Sequence, residues 1–149
     1  MRAVIQRVSS ARVVVDGKSV GEIGRGIVIL MAVKTGDSKR EIEWMAEKCT
    51  NLRIFENDEG KFNFSIKQVG GSILVVSQFT LYGDCRRGRR PSFTESAPNQ
   101  EAERIYDLFV DELKKSGLEV ETGMFGRRMS VEIRNEGPVT FILDSEKRI

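Results

Sequence analysis

The chain has 149 residues, of which 40% are hydrophobic and 31% charged, and its formal net charge is +2. Such a length and composition suit a single globular domain with its own core and exclude disordered and fibrous classes. No apolar run approaches the roughly 20 residues of a membrane-spanning helix. The opening Met1-Arg2-Ala3-Val4-Ile5-Gln6-Arg7-Val8 lacks the apolar core of a signal peptide, so a cytoplasmic protein is expected.

The first 33 residues read as a β-meander. Ala11 to Asp16 is β-branched, Asp16-Gly17 is a two-residue hairpin signal, and Lys18 to Ile23 is the returning strand. Gly26 to Val33 (GIVILMAV) is apolar at nearly every position, the pattern of a strand buried on both faces. The period then changes. Ser38 and Glu41 are spaced for a capping box, and Ile42, Met45, Ala46, Cys49 and Leu52 recur at three- and four-residue steps, which predicts a helix of about four turns. Leu52 to Glu56 reads as a short strand, Asn57 to Gly60 as a turn, and Ser72 to Leu81 (SILVVSQFTL) as a second buried strand. A loop is expected from Tyr82 to Pro98. A second helix then carries Ala102, Ile105, Tyr106, Phe109, Val110 and Leu113 on one face and stops at Gly117. Glu119 to Thr122, Met129 to Arg134 and Val139 to Leu143 complete the strands, with Asn135-Glu136-Gly137-Pro138 as the turn between the last two. The sum is an α+β fold: a mostly antiparallel, barrel-like sheet with two main helices and no linker, a single domain over 1–149.

Histidine is absent. That removes Ser-His-Asp and Cys-His relays and the usual catalytic zinc sets, so neither metal nor cofactor is expected. Cys49 falls on a helix's apolar stripe and reads as a small core residue; Cys85 lies beside arginines that favour a thiolate. Arg86, Arg87, Arg89 and Arg90 crowd one loop and Arg127-Arg128 form a second basic pair. Local basic clusters on a nearly neutral chain suit a polyanion touching selected surfaces.

Three stretches together resemble the D-aminoacyl-tRNA deacylase family: the opening MRAVIQRV; Ser77-Gln78-Phe79-Thr80-Leu81 followed by Arg87 to Phe93; and Asn135-Glu136-Gly137-Pro138-Val139-Thr140. The likeness runs from Met1 to about Leu143. It implies a homodimer that hydrolyses the ester between tRNA and a D-amino acid or glycine. It places the 3′-terminal adenosine and the ester against Ser77, Gln78, Phe79 and Thr80. It also implies that a Gly137–cis-Pro138 pair enters the partner subunit's site, where its carbonyls meet the substrate's α-ammonium group and leave no room for an L side chain. Arg86, Arg87, Arg89 and Arg90 are then expected to contact tRNA phosphates.

Two mechanisms fit these residues. Either Thr80 is a nucleophile, with Asp84 the nearby candidate base, or backbone N–H groups stabilise the oxyanion while the ribose 2′-OH assists water; the second is preferred because a threonine hydroxyl without an activating base is weak. Judged without the family, Ser77, Gln78 and Thr80 are equally the polar end of a buried strand, Gly137-Pro138 is a tight turn, and the arginines are a solvated loop. Phe93 reads either as a loop anchor or as a stacking platform. The family usually has Phe-Gly-Ala-Asp-Met where this chain has Phe125-Gly126-Arg127-Arg128-Met129; a phosphate contact and a solvated pair are both open there. The rival classes are a non-catalytic RNA-binding module, a purely structural dimer and a metal-dependent esterase.

Overall fold

Two long strands run antiparallel along almost their whole length: β1 (Arg2–Val15) and the last strand of the chain, β8 (Ser130–Asp144). On the other side of β1, two shorter strands share its length. β2 (Lys18–Ile23) pairs with its C-terminal half, and β3 (Gly26–Ala32) pairs with its N-terminal half. The computed structural model describes residues 1–149. Beyond β3 the sheet continues through β6 (Ser72–Ser77) and β7 (Val120–Thr122), and both of these pairings are parallel. The sheet is therefore mixed, with three antiparallel pairings and two parallel ones, which keeps it mostly antiparallel as expected. It curls into a nearly closed barrel, and β4 (Arg53–Glu56) with β5 (Phe62–Ser65) forms a separate two-stranded ribbon.

The apolar runs of β3 and β6 have a simple cause. Successive side chains of a strand face opposite ways, and here both faces are covered. Ile27, Ile29 and Met31 with Ile73 and Val75 join the larger core, which the helices cover; Val28 with Leu74 and Val76 joins a second cluster with Val8, Val13 and Val15. Backbones approach closely where β3 begins. A Cβ on Gly26 would stand 1.8 Å from the carbonyl oxygen of Ser72, so only glycine fits.

Two helices pack on the larger core. α1 (Lys39–Asn51) buries Ile42, Met45, Ala46 and Cys49, and α3 (Asn99–Lys114) buries Ile105, Tyr106, Phe109 and Leu113. Between them lies α2 (Ile66–Val69), a single turn capped by Ser65. Tyr106 reaches from α3 to donate its hydroxyl proton to the Val75 carbonyl at 2.9 Å, which ties the helix to β6. No helix is long and apolar enough to cross a membrane.

The expected capping box forms at α1. The backbone N–H of Ser38 donates to Glu41 Oε2 at 2.9 Å, and the serine hydroxyl donates to the same oxygen at 2.6 Å. Chiefly because of that hydroxyl, the Glu41 carboxyl is pulled down to about 2. A carboxyl whose folded value lies below its unfolded value adds stability above the unfolded value and loses it as pH falls toward the folded one. Glu41→Gln should therefore cost stability at neutral pH but little below pH about 2, and should flatten the acid limb between about 4.5 and 2. Urea denaturation at a series of pH values measures this; an unchanged acid limb would refute the assignment.

Candidate active site

β6 ends earlier than its apolar pattern suggests. The strand stops at Ser77, and Phe79–Tyr82 winds into a 3₁₀ turn instead of continuing to Leu81. Two contacts hold the change of direction. Gln78 N–H donates to the Met31 carbonyl at 2.7 Å, which keeps the strand end on β3. Arg2, from the start of β1, donates through Nη1 to the Leu81 carbonyl at 3.1 Å and lies 4.6 Å from the centre of the Tyr82 ring. Inside the turn, the Leu81 N–H is taken by Gln78 O and that of Gly83 by Thr80 O. The i→i+3 geometry of such a turn leaves the N–H groups of Phe79 and Thr80 without partners within it.

Beside this turn lies a cleft of about 550 Å³. Ser77, Gln78 and Phe79 line one wall, with Phe93, Phe125 and Met129 among the others. Phe79 is half exposed and meets Phe93 edge to face, ring centres 5.1 Å apart, so Phe93 anchors its loop against the site and also presents an aromatic surface to the cleft. The Gln78 side-chain amide donates to the Thr80 hydroxyl. Thr80 itself is exposed beside the cleft, not among the residues that line it.

The candidate base fails on geometry and charge. Asp84 accepts from Arg86 Nε and Nη2, each at 2.8 Å, and from the Arg86 backbone N–H at 3.0 Å. The Arg86 side chain holds the Asp84 carboxyl far below the usual carboxylate range. Both residues line a neighbouring concavity and not the cleft. All four loop arginines are exposed; Arg86 pairs with Asp84, whereas Arg87, Arg89 and Arg90 form no ion pair. Cys85 is exposed; Cys49 is buried, and burial pushes its thiol up, away from reactivity.

The segment Asn135–Val139 is not a turn between two strands. β8 runs straight through it, and both of its halves pair antiparallel with β1. Val8 faces Asn135 and Gln6 faces Thr140, so the four residues from Glu136 to Val139 stand opposite Arg7 alone and bulge out of the ladder. The base of the bulge is closed by Asn135, whose Oδ1 accepts from the Val139 N–H at 3.1 Å and whose Nδ2 donates to Thr140 Oγ1 at 3.0 Å. Gly137 has φ of 122°, its peptide bond to Pro138 is cis, and both residues are exposed.

Arg7 is the residue that reading the sequence missed. It is only 6% exposed, and it donates to the carbonyls of Glu136 (3.2 Å) and Ile54 (2.8 Å) and to Glu56 Oε1 (3.2 Å). The bulge is thereby fastened to β4. The alternation of Arg7 with Ala3 and Ile5, on the face of β1 that is buried, is the signal that could have found it. Within one chain the bulge and the Ser77–Thr80 turn are remote from each other. Ser77 pairs with Met31, which pairs with Ala3, four residues before Arg7. The two features therefore lie roughly 13 Å apart along β1 and about three strand spacings apart across the sheet.

Comparison with known proteins matches this arrangement over nearly the whole chain. Residues 4–144 match the family model described as D-Tyr-tRNA(Tyr) deacylase. The D-aminoacyl-tRNA deacylase of Desulfotalea psychrophila is 58% identical over 99% of both chains. That of Geobacter sulfurreducens is 57% identical over 99% of this chain and 97% of its own. Among solved structures, a c-Myc DNA unwinding element binding protein superposes with a TM-score of 0.91 at 40% identity, covering 97% of this chain and 98% of the other. A probable eukaryotic D-amino acid tRNA deacylase shares the fold, with a TM-score of 0.81 at 21% identity over 95% of this chain and 97% of its own. The protein is a hydrolase acting on ester bonds. More narrowly, it belongs to the D-Tyr-tRNA(Tyr) deacylase family.

The ties of Arg7 can be tested without a substrate. Arg7→Met keeps most of the side-chain volume but leaves the buried Ile54 carbonyl and the part-buried Glu136 carbonyl without their donor, and should lower stability by about 1–3 kcal/mol. Glu136→Gln alters only a half-exposed carboxylate 4.0 Å from Arg7 Nε and should stay within about 0.5 kcal/mol. Equilibrium urea denaturation compares the two; equal losses would mean that the bulge is not held by the guanidinium.

Proposed function

We propose that the protein hydrolyses the ester joining a D-amino acid, or glycine, to the 3′ end of tRNA in the cytoplasm, and that it works as a two-fold homodimer. The reading is carried by one observation: an apolar cleft beside a 3₁₀ turn whose leading N–H groups, those of Phe79 and Thr80, have no partner within it, with no acidic side chain along the cleft's walls. An aminoacyl ester is already activated. The protein has only to hold the carbonyl, stabilise the oxyanion and admit water, and fixed backbone dipoles in a water-poor site are well suited to that. The N–H groups of Phe79 and Thr80 serve as the oxyanion donors. The terminal adenosine rests against Phe79 and Phe93, and its 2′-OH assists the attacking water.

Selection by handedness falls to the bulge. Gly137 and Pro138 are too far from the cleft of their own chain, so a second copy brings them to it. Carbonyls at the crest of the bulge receive the substrate's α-ammonium group. Main chain so close to the α-carbon excludes an L side chain, while a D side chain points outward and glycine has none. The exposed Arg87, Arg89 and Arg90 contact the phosphates of tRNA near the acceptor end. The names of the curated relatives and the tight retention of the bulge by Arg7 and Asn135 both support this reading.

Two measurements test it. Purified protein should cleave D-Tyr-tRNA faster than L-Tyr-tRNA by on the order of a hundredfold or more; equal rates would sink the proposal. Thr80→Ala should reduce kcat by about tenfold at most, because its role is to shape the turn. Loss of nearly all turnover, together with an acyl-enzyme trapped on the parent protein, would instead make Thr80 the nucleophile.

A further inference from the structure

Arg127 is the only charged side chain among those lining the cleft. It projects from the turn Met124–Arg127, where its N–H donates to the Met124 carbonyl at 3.3 Å. Its guanidinium donates through Nη2 to Asp16 Oδ2 at 2.8 Å, and Asp16 sits at the tip of the β1–β2 hairpin. Both partners are well exposed, 52% for Arg127 and 79% for Asp16. An ion pair so open to water is weak and easily exchanged for another anion. The remaining walls are aromatic, aliphatic or neutral polar groups, so a single cation decides the electrostatic character of the cleft.

We propose that Arg127 is a positioning residue that takes the 5′-phosphate of the terminal adenosine, leaving Asp16 when substrate enters. The inference rests on the reading of this cleft as the seat of the aminoacylated 3′ end. The substrate is electrically polar along its length, with an α-ammonium cation at the acyl end and a phosphodiester anion on the other side of the ribose. A lone arginine in the cleft repels the first and attracts the second. Arg127 thus fixes the direction in which the adenosine lies, with the ester turned toward Ser77–Thr80 and the phosphate toward the Phe125–Met129 wall. A planar guanidinium suits phosphate oxygens, and such charge-assisted bonds are the stronger kind.

The test compares 3′-O-D-tyrosyl-adenosine 5′-monophosphate with 3′-O-D-tyrosyl-adenosine. The parent should favour the phosphorylated compound in kcat/KM by on the order of 10- to 100-fold, mostly through KM, and Arg127→Ala should abolish that preference. Arg127→Lys should restore part of it, and Asp16→Ala should keep it. A merely structural arginine would slow both compounds alike and leave their ratio intact, which would overturn the inference. Collapse of the ratio in Asp16→Ala would overturn it too, since the tether would then be the functional contact. If the parent cleaves neither compound, the reading of the cleft falls. Titration with adenosine 5′-monophosphate against adenosine then still reads the contact: tighter binding of the nucleotide that is lost in Arg127→Ala upholds it, and equal binding refutes it.

Discussion

The ladder between β1 and β8 breaks its register mainly where four residues of β8 stand opposite Arg7. That mismatch has to be held open, because a bulge without support relaxes toward regular pairing or frays. Arg7 and Asn135 supply the support from two sides, one through a buried guanidinium reaching across to β4, the other through a side-chain amide bridging the bulge's own base. The same strand holds the other candidate element, since Arg2 grips the Leu81 carbonyl and packs on Tyr82. β1 is therefore the common mount of both features. It is hydrogen-bonded along most of its length on both sides, to β2 and β3 on one and to β8 on the other, which leaves it little freedom to shift.

Local pattern made much of this legible. The buried runs of β3 and β6, the Asp16-Gly17 hairpin and the Ser38–Glu41 cap depend on residues close in sequence, and each starts where its pattern put it, though β6 stops at Ser77. The misses have long-range causes. Asn135-Glu136-Gly137-Pro138 has the chemistry of a turn, and nothing within those residues says that the chain resumes its old direction; pairing with β1 decides that. Phe79 and Leu81 extend the alternation of β6, yet Phe79 is half exposed because the backbone has already turned at Gln78. β5 and the single-turn α2 are too short for their period to show. Parallel pairing of β3, β6 and β7 is set by how helices cross the sheet, which strand composition does not encode.

Charge separates the structural arginines from those available to a partner. Arg2 and Arg7 are largely buried and spend their donors on backbone carbonyls and carboxylates. Arg86 and Arg148 are exposed but occupied by Asp84 and by Glu95 and Glu146. Arg87, Arg89 and Arg90 on one loop are exposed and form no ion pair; the same holds for Arg25, Arg104, Arg128 and Arg134 elsewhere, and Arg127 at the cleft holds an exchangeable one. A near-zero net charge therefore conceals a local group of unpaired cations, Arg87, Arg89 and Arg90, that follows Ser77–Thr80 in sequence. Carboxylates neutralise Arg12, Arg40, Arg86 and Arg148, which limits non-specific attraction to polyanions.

A site that judges handedness by main chain must be stiff. A side-chain pocket tolerates a shift of its walls by changing rotamers, but exclusion by backbone fails once the backbone yields, because the wrong isomer then gains room at the α-carbon. Stiffness at an exposed crest cannot come from burial of the crest itself, and Gly137 and Pro138 are both open to solvent. It has to be supplied from beneath. Val139, buried at the foot of the bulge, and Arg7, buried under it, meet that need, and a Cβ on Gly137 would lie 2.8 Å from Val139 Cγ2 and 3.1 Å from Arg7 Nη2. The bulge rests directly on the groups that anchor it, with no space for a larger residue at its crest. That close seating braces the exposed crest from beneath.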